Sequence, residues 1–295
     1  MQLKKIAIVG VGLIGGSVAL AMRAAQPDVR LIGVDRDDAN LDAALRRGVV
    51  DEAVELADIG DVDLVLLAVP VRQMPALLLQ LGRQLAAETI ITDASSTKQS
   101  VIAEARAGLG SRIGQFVPGH PIAGREHSGV AAAASELFDG KNVVLTPLEE
   151  NSAAAVELVR SLWRACGANV MEMSAAEHDA VFAAVSHLPH LLAFALVDEL
   201  AGRPNAKSLF SFAASGFRDF TRIASSSPEM WRDIALDNRA ALVREFDHYL
   251  SRAQALRDAV ARGDAGEIEA LMARAREARN HWLAGQFDYF KDESA

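Results

Sequence analysis

The feature that most constrains the fold is a glycine-rich segment, GVGLIG at 10–15, which follows a short apolar run and opens a helical one. In such a strand–turn–helix unit Gly10 permits the tight turn, Gly12 lets the backbone approach a pyrophosphate, and Gly15 lets the helix pack on the strand. The first helical N–H groups, at Leu13 and Ile14, carry a partial positive charge that favours phosphate. The segment therefore predicts a dinucleotide site.

An acidic residue after the second apolar run indicates which dinucleotide binds. Asp35 lies 20 residues beyond Gly15, where a carboxylate accepts a hydrogen bond from a ribose 2′-hydroxyl and repels a 2′-phosphate. We therefore expect NAD rather than NADP, although the adjacent Arg36 weakens that discrimination. Val69 and Pro70 end a later strand, and their main chain is expected to border the nucleotide. The alternative is a glycine-rich turn that binds nothing.

Short apolar runs alternate with helical spacing through the first half of the chain. The runs are rich in Val, Ile and Leu, and several lack polar alternation, as strands covered on both faces do. This pattern predicts an α/β fold in which residues 1–173 form a Rossmann-type dinucleotide-binding domain with a mostly parallel sheet. We expect strands at 5–9, 30–35, 63–69, 89–92, 115–118, 142–146 and 169–173.

Residues 174–295 contain no further strand run and are predicted to form an all-α dimerisation domain. One helix is expected to run over 228–262, longer than a domain of this size buries by itself, so a second copy of the chain should complete this half as a homodimer. The apolar stretch 180–197 is about the minimum length for a membrane span. Its two histidines would be costly in lipid, so we expect a buried helix and no membrane partner.

Charge and cysteine content exclude other classes of protein. Thirty Lys and Arg against 39 Asp and Glu give a net charge of −9, whereas binding a phosphate backbone needs a basic surface. We therefore expect no nucleic-acid partner. The single cysteine, Cys166, permits no intramolecular disulfide and no cluster of metal-binding thiolates, and no metal is predicted. We expect a cytoplasmic protein that acts on a small molecule.

Polar motifs follow two predicted strands and recur in the helical half. The motifs DASSTK at 93–98 and GHPIAG at 119–124 come directly after strands, where ligands of open α/β sheets bind, so both should meet the nicotinamide. The helical half contributes SHLPH at 186–190, GFRDFTRIA at 216–224 and MWRD at 230–233.

In this order the motifs resemble those of the prephenate/arogenate dehydrogenases of tyrosine biosynthesis, from Gly10 to about Asp237. That family couples hydride transfer to NAD(P)⁺ with loss of CO₂ from a cyclohexadienol, which gives an aromatic phenol. The resemblance implies a prephenate dehydrogenase that uses NAD⁺ and forms 4-hydroxyphenylpyruvate, CO₂ and NADH. Arogenate specificity or dual cyclohexadienyl specificity remains open. The family also joins a nucleotide-binding domain to a helical dimerisation domain.

The resemblance also implies roles for residues at the reacting end. His120 would take the proton of the ring hydroxyl, as a neutral imidazole can near neutral pH. Ser96 would hydrogen-bond the same hydroxyl or orient His120. The substrate carries two carboxylates, so the site must be locally cationic, and Arg222 matches the family's substrate arginine.

Four further residues are expected near the substrate by the same resemblance. His190 matches a second polar contact, and Trp231 a residue near the pocket, of the same or the neighbouring subunit. Glu126 matches a gating acid. Arg125 stands where a small residue is expected, and would favour a keto acid over an amino acid.

At several of these positions a purely structural role is the alternative to a functional one. His190 and Trp231 could serve core packing, Lys98 could cap a turn, and His187 reads as a structural residue near Pro189. Two other functions also fit a dinucleotide fold joined to helices. A β-hydroxyacid dehydrogenase or imine reductase is disfavoured because the hydroxyacid enzymes' N-x-x-x-K pattern is missing. A non-catalytic NAD(H)-binding sensor would leave the GHPIAG motif without a purpose.

Overall fold

A computed structural model describes residues 3–125, 127 and 129–289 of the chain. Over these residues nine strands form two sheets, and the chain divides into two compact units, Met1–Leu242 and Val243–Ala295. The predicted domain boundary at 173/174 stays a prediction. The strands are β1 Lys5–Val9, β2 Arg30–Val34, β3 Glu52–Ala53, β4 Leu64–Leu67, β5 Ile90–Asp93, β6 Phe116–Val117, β7 Gly119–Pro121, β8 Asn142–Leu145 and β9 Asn169–Glu172.

The larger sheet has six parallel strands in the order β3-β2-β1-β4-β5-β6. This is the Rossmann order, in which the crevice for a dinucleotide lies beyond the carboxyl ends of the strands where the order reverses, here between β1 and β4. The prediction of an α/β dinucleotide-binding fold is confirmed. Five helices accompany the strands of this half: α1 Leu13–Ala25, α2 Asp38–Arg46, α3 Met74–Gln84, α4 Gln99–Leu109 and α5 Ala153–Ala165.

Both faces of the larger sheet are buried, which explains the unbroken apolar runs. Along β1, Ile6 and Ile8 pack into one core with α1 and α5, where Trp163 is fully buried. Ala7 and Val9 point to the opposite core, which α3 and α4 cover. Successive side chains of a strand alternate between faces, so a strand covered on both sides must be apolar throughout.

The smaller sheet corrects three of the predicted strands. The run at 115–118 is cut short at Val117, and the GHPIAG motif begins a separate strand, β7, which pairs antiparallel with β8. The runs at 142–146 and 169–173 form β8 and β9, which pair with each other and not with the parallel sheet. His120 therefore lies within a strand, opposite Val144, rather than in a loop after one.

The second half is helical over the described residues. Within the first compact unit it contains α6 Ala175–Phe182, a π-helical turn at Ala183–His187, α7 Leu188–Ala201, α8 Ala206–Ser211, α9 Ser215–Thr221 and α10 Pro228–Asp237. Helix α11 then covers Arg239–Arg262, and α12 covers Ala265–Leu283. The predicted single helix over 228–262 is wrong, because the chain breaks at Asn238. The amide of Asn238 donates to the carbonyl of Asp179 (2.7 Å), a tertiary contact that local helical spacing cannot reveal.

One helical stretch, Ala175–Ala201, is long and apolar enough to cross a membrane by length and composition. The same test is passed by core helices of soluble proteins. Only 28% of its most apolar window is buried inside the structure, so the prediction of a buried helix is only partly right.

Candidate active site

The turn between β1 and α1 has the shape that a dinucleotide requires. Gly10 has φ of 90°, and a Cβ there would lie 2.4 Å from the carbonyl oxygen of Ala68. A Cβ on Gly15 would lie 2.1 Å from the carbonyl oxygen of Gly10. Gly12 differs, because a Cβ there would meet nothing within 4 Å. The turn therefore needs Gly10 and Gly15 for its own packing, whereas Gly12 leaves space beside the backbone.

The first turn of α1 lies directly beside that space. Gly12 precedes the helix and brings no side-chain cap, and the first intrahelical bond runs from the N–H of Gly16 to the carbonyl of Gly12 (2.9 Å). The earlier N–H groups, which include those of Leu13 and Ile14, have no partner within a helix of this geometry. Phosphate binds such a helix start readily. The residues present therefore fit the pyrophosphate of a dinucleotide.

Asp35 fastens the glycine turn to the end of β2. Its Oδ2 accepts the backbone N–H of Val11 (2.9 Å) and the side-chain amide of Asn40 (3.0 Å), and its Oδ1 accepts the N–H of Asp37 (3.0 Å). A carboxylate offers about four lone-pair sites, so capacity remains for a ribose hydroxyl.

The other residues predicted at the nucleotide lie at the same edge of the sheet. Val69 borders the turn, since its Cγ1 would lie 2.9 Å from a Cβ on Gly10. Arg36 and Pro70 are exposed.

His120 is the centre of the reacting end. Its side chain is 9% exposed, and its ring stands edge-on to that of Phe182 at a centroid distance of 4.9 Å. Its Nδ1 lies 2.8 Å from Nε2 of His178, whereas its Nε2 has no hydrogen bond to any described residue. Burial lowers the pKa of His120 well below its ordinary value, and the neighbouring His178, Lys98 and His187 add to this effect. The ring is therefore neutral near pH 7 and can act as a base.

A buried ion pair braces the strand that carries His120. The fully buried Lys98 donates from Nζ to Asp93 (2.6 Å) and to the carbonyl of Gly119 (2.6 Å). Asp93 in turn accepts the N–H of Gly119 (2.9 Å), so both backbone groups of the residue before His120 are held. Burial lowers the pKa of Lys98, and Asp93 opposes that shift. Lys98 thus ties β7 to the end of β5, a role beyond capping a turn.

Sequence reasoning missed the pair His178 and Asp179. His178 Nδ1 lies 2.9 Å from Asp179 Oδ1, and both side chains are buried. Asp179 also accepts the backbone N–H groups of Lys98 (2.8 Å) and Gln99 (2.9 Å). Burial alone would raise the pKa of Asp179, but the hydrogen bonds from His178 and from the two backbone groups outweigh it, and the pKa is lowered. The local signal was a run of three polar residues, Glu177, His178 and Asp179, between apolar residues of α6.

The rings of His190 and Trp231 stack at 3.8 Å. His190 also pairs through Nδ1 with the carbonyl of Ser186 (2.8 Å). The pKa of His190 is lowered by burial first and also by the charge of Arg222, and the bond to Ser186 opposes both. The turn Arg222–Ser225 packs against α7, the helix that carries His190. Trp231 is buried and also stands edge-on to His187 at 6.1 Å. The structure thus brings together three of the predicted substrate residues.

Two other predicted residues are placed differently, and a third lies outside the described residues. Ser96 is half-buried, and among the described residues no hydrogen bond joins it to His120, so His178 takes the orienting position expected for Ser96. Arg125 is exposed and pairs with Glu136 (3.0 Å). Glu126 lies outside the described residues.

His187 is held from the helical side. The side-chain amide of Asn238 lies 3.1 Å from His187 Nδ1, and the same amide reaches the carbonyl of Asp179. Burial lowers the pKa of His187 to about 4, so this ring too is neutral. Nothing local in the sequence identifies Asn238 as its partner.

Comparison with protein families gives matches over most of the chain. Residues 18–172 match the model described as "Prephenate dehydrogenase, nucleotide-binding domain", and residues 174–274 match "Prephenate dehydrogenase, dimerization domain". A prephenate dehydrogenase of Bacillus subtilis is 40% identical over 93% of this chain and 75% of its own. A cyclohexadienyl dehydrogenase of Zymomonas mobilis is 37% identical over 97% of each chain.

Solved structures are similar over the same length. The prephenate dehydrogenase of Aquifex aeolicus, in complex with hydroxyphenyl propionate and NAD⁺, superimposes with a TM-score of 0.89 at 35% identity, over 95% of this chain and 99% of that one. An arogenate dehydrogenase of Synechocystis gives a TM-score of 0.80 at 29% identity, over 94% of this chain and 99% of that one.

Proposed function

The chain belongs to the prephenate dehydrogenase family, and we propose that it converts prephenate and NAD⁺ into 4-hydroxyphenylpyruvate, CO₂ and NADH. The observation that carries this proposal is the neutral imidazole of His120, whose Nε2 makes no hydrogen bond to any described residue. Arogenate, which bears an amino acid side chain, is the second candidate substrate. Relatives at 37% and 29% identity are named for cyclohexadienyl and arogenate substrates.

The glycine turn and Asp35 hold the cofactor. Backbone N–H groups at the start of α1 bind the pyrophosphate, and the space beside Gly12 admits it. Asp35 accepts a hydrogen bond from the ribose and favours NAD⁺ over NADP⁺. NAD⁺ held there would supply the acceptor for the hydride of the ring carbon that bears the hydroxyl.

His120 accepts the proton of the same hydroxyl and later returns it. As that carbon is oxidised, Nε2 takes the hydroxyl proton, and the C–O bond becomes a carbonyl. The ring carboxylate then leaves as CO₂, and its bonding electrons move through the ring to the carbonyl oxygen, giving an aromatic phenolate. His120 returns its proton to that oxygen. Much of the driving force is the aromaticity of the product, so the protein supplies position and charge.

The helical half supplies charge for the substrate. Arg222 binds a carboxylate next to the stacked rings of His190 and Trp231, against the net negative charge of the chain. Glu126 gates the site and Arg125 selects the side chain, although the ion pair of Arg125 with Glu136 must open for a direct contact.

The protein forms a homodimer in the cytoplasm. Support comes from the match of residues 174–274 to a dimerisation domain and from the Ala175–Ala201 stretch, whose most apolar window is only 28% buried. Phe212, which is 85% exposed, is a further apolar side chain that a second copy can cover. Light scattering after gel filtration measures the mass, and a monomer at micromolar concentration would contradict the dimer.

The activity is tested by following NADH with prephenate and with arogenate, each with NAD⁺ and NADP⁺. We expect His120→Ala to lower kcat by about 10²–10⁴-fold with NAD⁺ affinity nearly intact. Arg222→Ala should raise KM for prephenate steeply, whereas Arg83→Ala, an exposed arginine of α3, should change neither constant. No turnover of either substrate by the wild type would refute the proposal and favour a sensor that binds NAD(H). An unchanged kcat in His120→Ala would remove His120 as the base.

A further inference from the structure

Three buried groups stand in a line that ends at the proposed base. His120 Nδ1, His178 Nε2, His178 Nδ1 and Asp179 Oδ1 follow one another at 2.8 Å and 2.9 Å across the two contacts between side chains. Each side chain comes from a defined element, His120 from β7 and the other two from α6. Nothing in the reaction written above uses His178 or Asp179.

The hydrogen bonds around Asp179 determine where the protons of this line lie. The two oxygens of Asp179 already accept the backbone N–H groups of Lys98 and Gln99, which can only donate. Asp179 is therefore the acceptor toward His178, whose Nδ1 must carry a proton. A neutral His178 then has a lone pair on Nε2, and this atom must accept from Nδ1 of His120.

We propose that His178 and Asp179 are positioning residues that hold His120 in the Nδ1–H tautomer, so that the lone pair of Nε2 faces the substrate hydroxyl. This inference rests on the proposed function, in which His120 is the base. A histidine is a base only at its unprotonated nitrogen, so the opposite tautomer would present an N–H to the hydroxyl and could not take its proton.

The same line keeps its hydrogen bond when His120 becomes charged. Once Nε2 has taken a proton, the imidazolium keeps its bond from Nδ1 to His178, and the negative charge of Asp179 lies behind that ring. The other charged or titratable groups facing His120 are Lys98 and His187, and both, together with His178, oppose a positive charge on His120. The positive charge of Lys98 is paired with the carboxylate of Asp93. Asp179 is the anion that acts on His120 through His178.

The line is fixed by three parts of the fold. The two backbone donors to Asp179 lie at the start of α4, and the carbonyl of Asp179 accepts the amide of Asn238 beyond α10. Phe182, one turn after His178 on α6, packs against both imidazole rings at 4.9 Å and 4.5 Å. Neither ring can rotate without breaking these contacts, so the tautomer is set before a substrate arrives.

The experiment compares two replacements of His178 in the full-length protein. His178→Leu removes the acceptor for Nδ1 of His120, whereas His178→Gln can still present a carbonyl oxygen to it. The ring nitrogens are observed by long-range ¹H–¹⁵N NMR after labelling with ¹⁵N-histidine, because protonated and unprotonated ring nitrogens resonate far apart. His120→Ala assigns the signals of His120, and His248→Gln, at an exposed histidine of α11, is the matched control.

In the wild type we expect Nδ1 of His120 protonated and Nε2 unprotonated. His178→Leu should lose that pattern and lower kcat by about 10²-fold or more, with KM for prephenate little changed. His178→Gln should keep the pattern and recover part of the lost kcat, and His248→Gln should match the wild type. Asp179→Asn, measured in parallel, should also lower kcat, and it serves if His178→Leu does not fold.

Two results would overturn the inference. One is a wild-type pattern with the proton of His120 on Nε2. The other is a folded His178→Leu whose kcat stays within about threefold of the wild type. If either occurs while His120→Ala is inactive, the positioning role fails and the proposed function stands. If His120→Ala itself remains active, the assignment of the base fails first.

Discussion

The space beside Gly12 allows cofactor binding to be separated from folding by a single methyl group. In Gly12→Ala the new Cβ meets nothing within 4 Å, and the backbone has φ of −85°, which any residue adopts. We therefore expect the free energy of unfolding without ligand to change by no more than about 0.5 kcal/mol. The methyl group would instead occupy the space beside Gly12 that we propose for the pyrophosphate.

The size of the binding defect follows from steric overlap. Forcing an extra methyl group into a close-packed contact costs typically 1–3 kcal/mol, and the upper end raises Kd about 100-fold. At NAD⁺ of 100 times the wild-type Kd, the ligand stabilises the wild type by about 2.7 kcal/mol but the variant by only about 0.4 kcal/mol. For a chain of 295 residues the increase in Tm falls from about 4 °C to below about 1 °C.

Thermal unfolding with and without NAD⁺ measures both effects in one assay. Gly266→Ala, whose Cβ would make only ordinary contacts in α12, is the control and should keep the full ligand-induced increase. Gly15→Ala should behave in the opposite way and lower Tm even without ligand, because its Cβ would overlap a backbone carbonyl. A Gly12→Ala protein that keeps the full increase in Tm would refute the placement of the pyrophosphate beside this residue.

Two further predictions concern buried charge. Lys98→Met leaves the carboxylate of Asp93 buried without its cation, so the free energy of unfolding measured in urea should fall by about 3–5 kcal/mol. The control Lys207→Met, at an exposed position of α8, should change that free energy little. A loss below about 1 kcal/mol in Lys98→Met would contradict the reasoning. The pKa of His187 is about 4 in the folded protein, against an ordinary value of 6.5. Between these two pH values the unfolded chain therefore binds more protons than the folded protein. The free energy of unfolding falls as the pH drops through that window, by up to about 3 kcal/mol from this group. Unfolding free energies measured from pH 7 to pH 4 should fall less steeply in His187→Gln, and parallel curves would show that His187 is not the group responsible.

Much of the fold could be predicted because its signals are local. The apolar runs of β1, β2 and β4 show directly as buried strands, and the glycine spacing marks the turn that follows β1. Prediction failed where a distant contact decides the local structure. The helix predicted over 228–262 ends at Asn238 because that side chain bonds to Asp179, 59 residues earlier. The strand β7 forms because β8 pairs with it, and Pro118, between Val117 and Gly119, predicts an interruption of the strand but not a change of sheet.

The amino-acid order alone determined that this protein has a glycine turn, an acidic residue after the second strand and a histidine in the GHPIAG motif, since each depends on neighbours a few positions away. Tertiary structure decided which nitrogen of that histidine is free, because His178 lies 58 residues further along the chain and meets it only after folding. Tertiary structure also decided that Lys98 braces β7. A buried lysine needs hydrogen-bond acceptors, and folding brings the carboxylate of Asp93 and the carbonyl of Gly119 to its Nζ. Residue types specify what chemistry is available, and packing specifies the protonation state in which it acts.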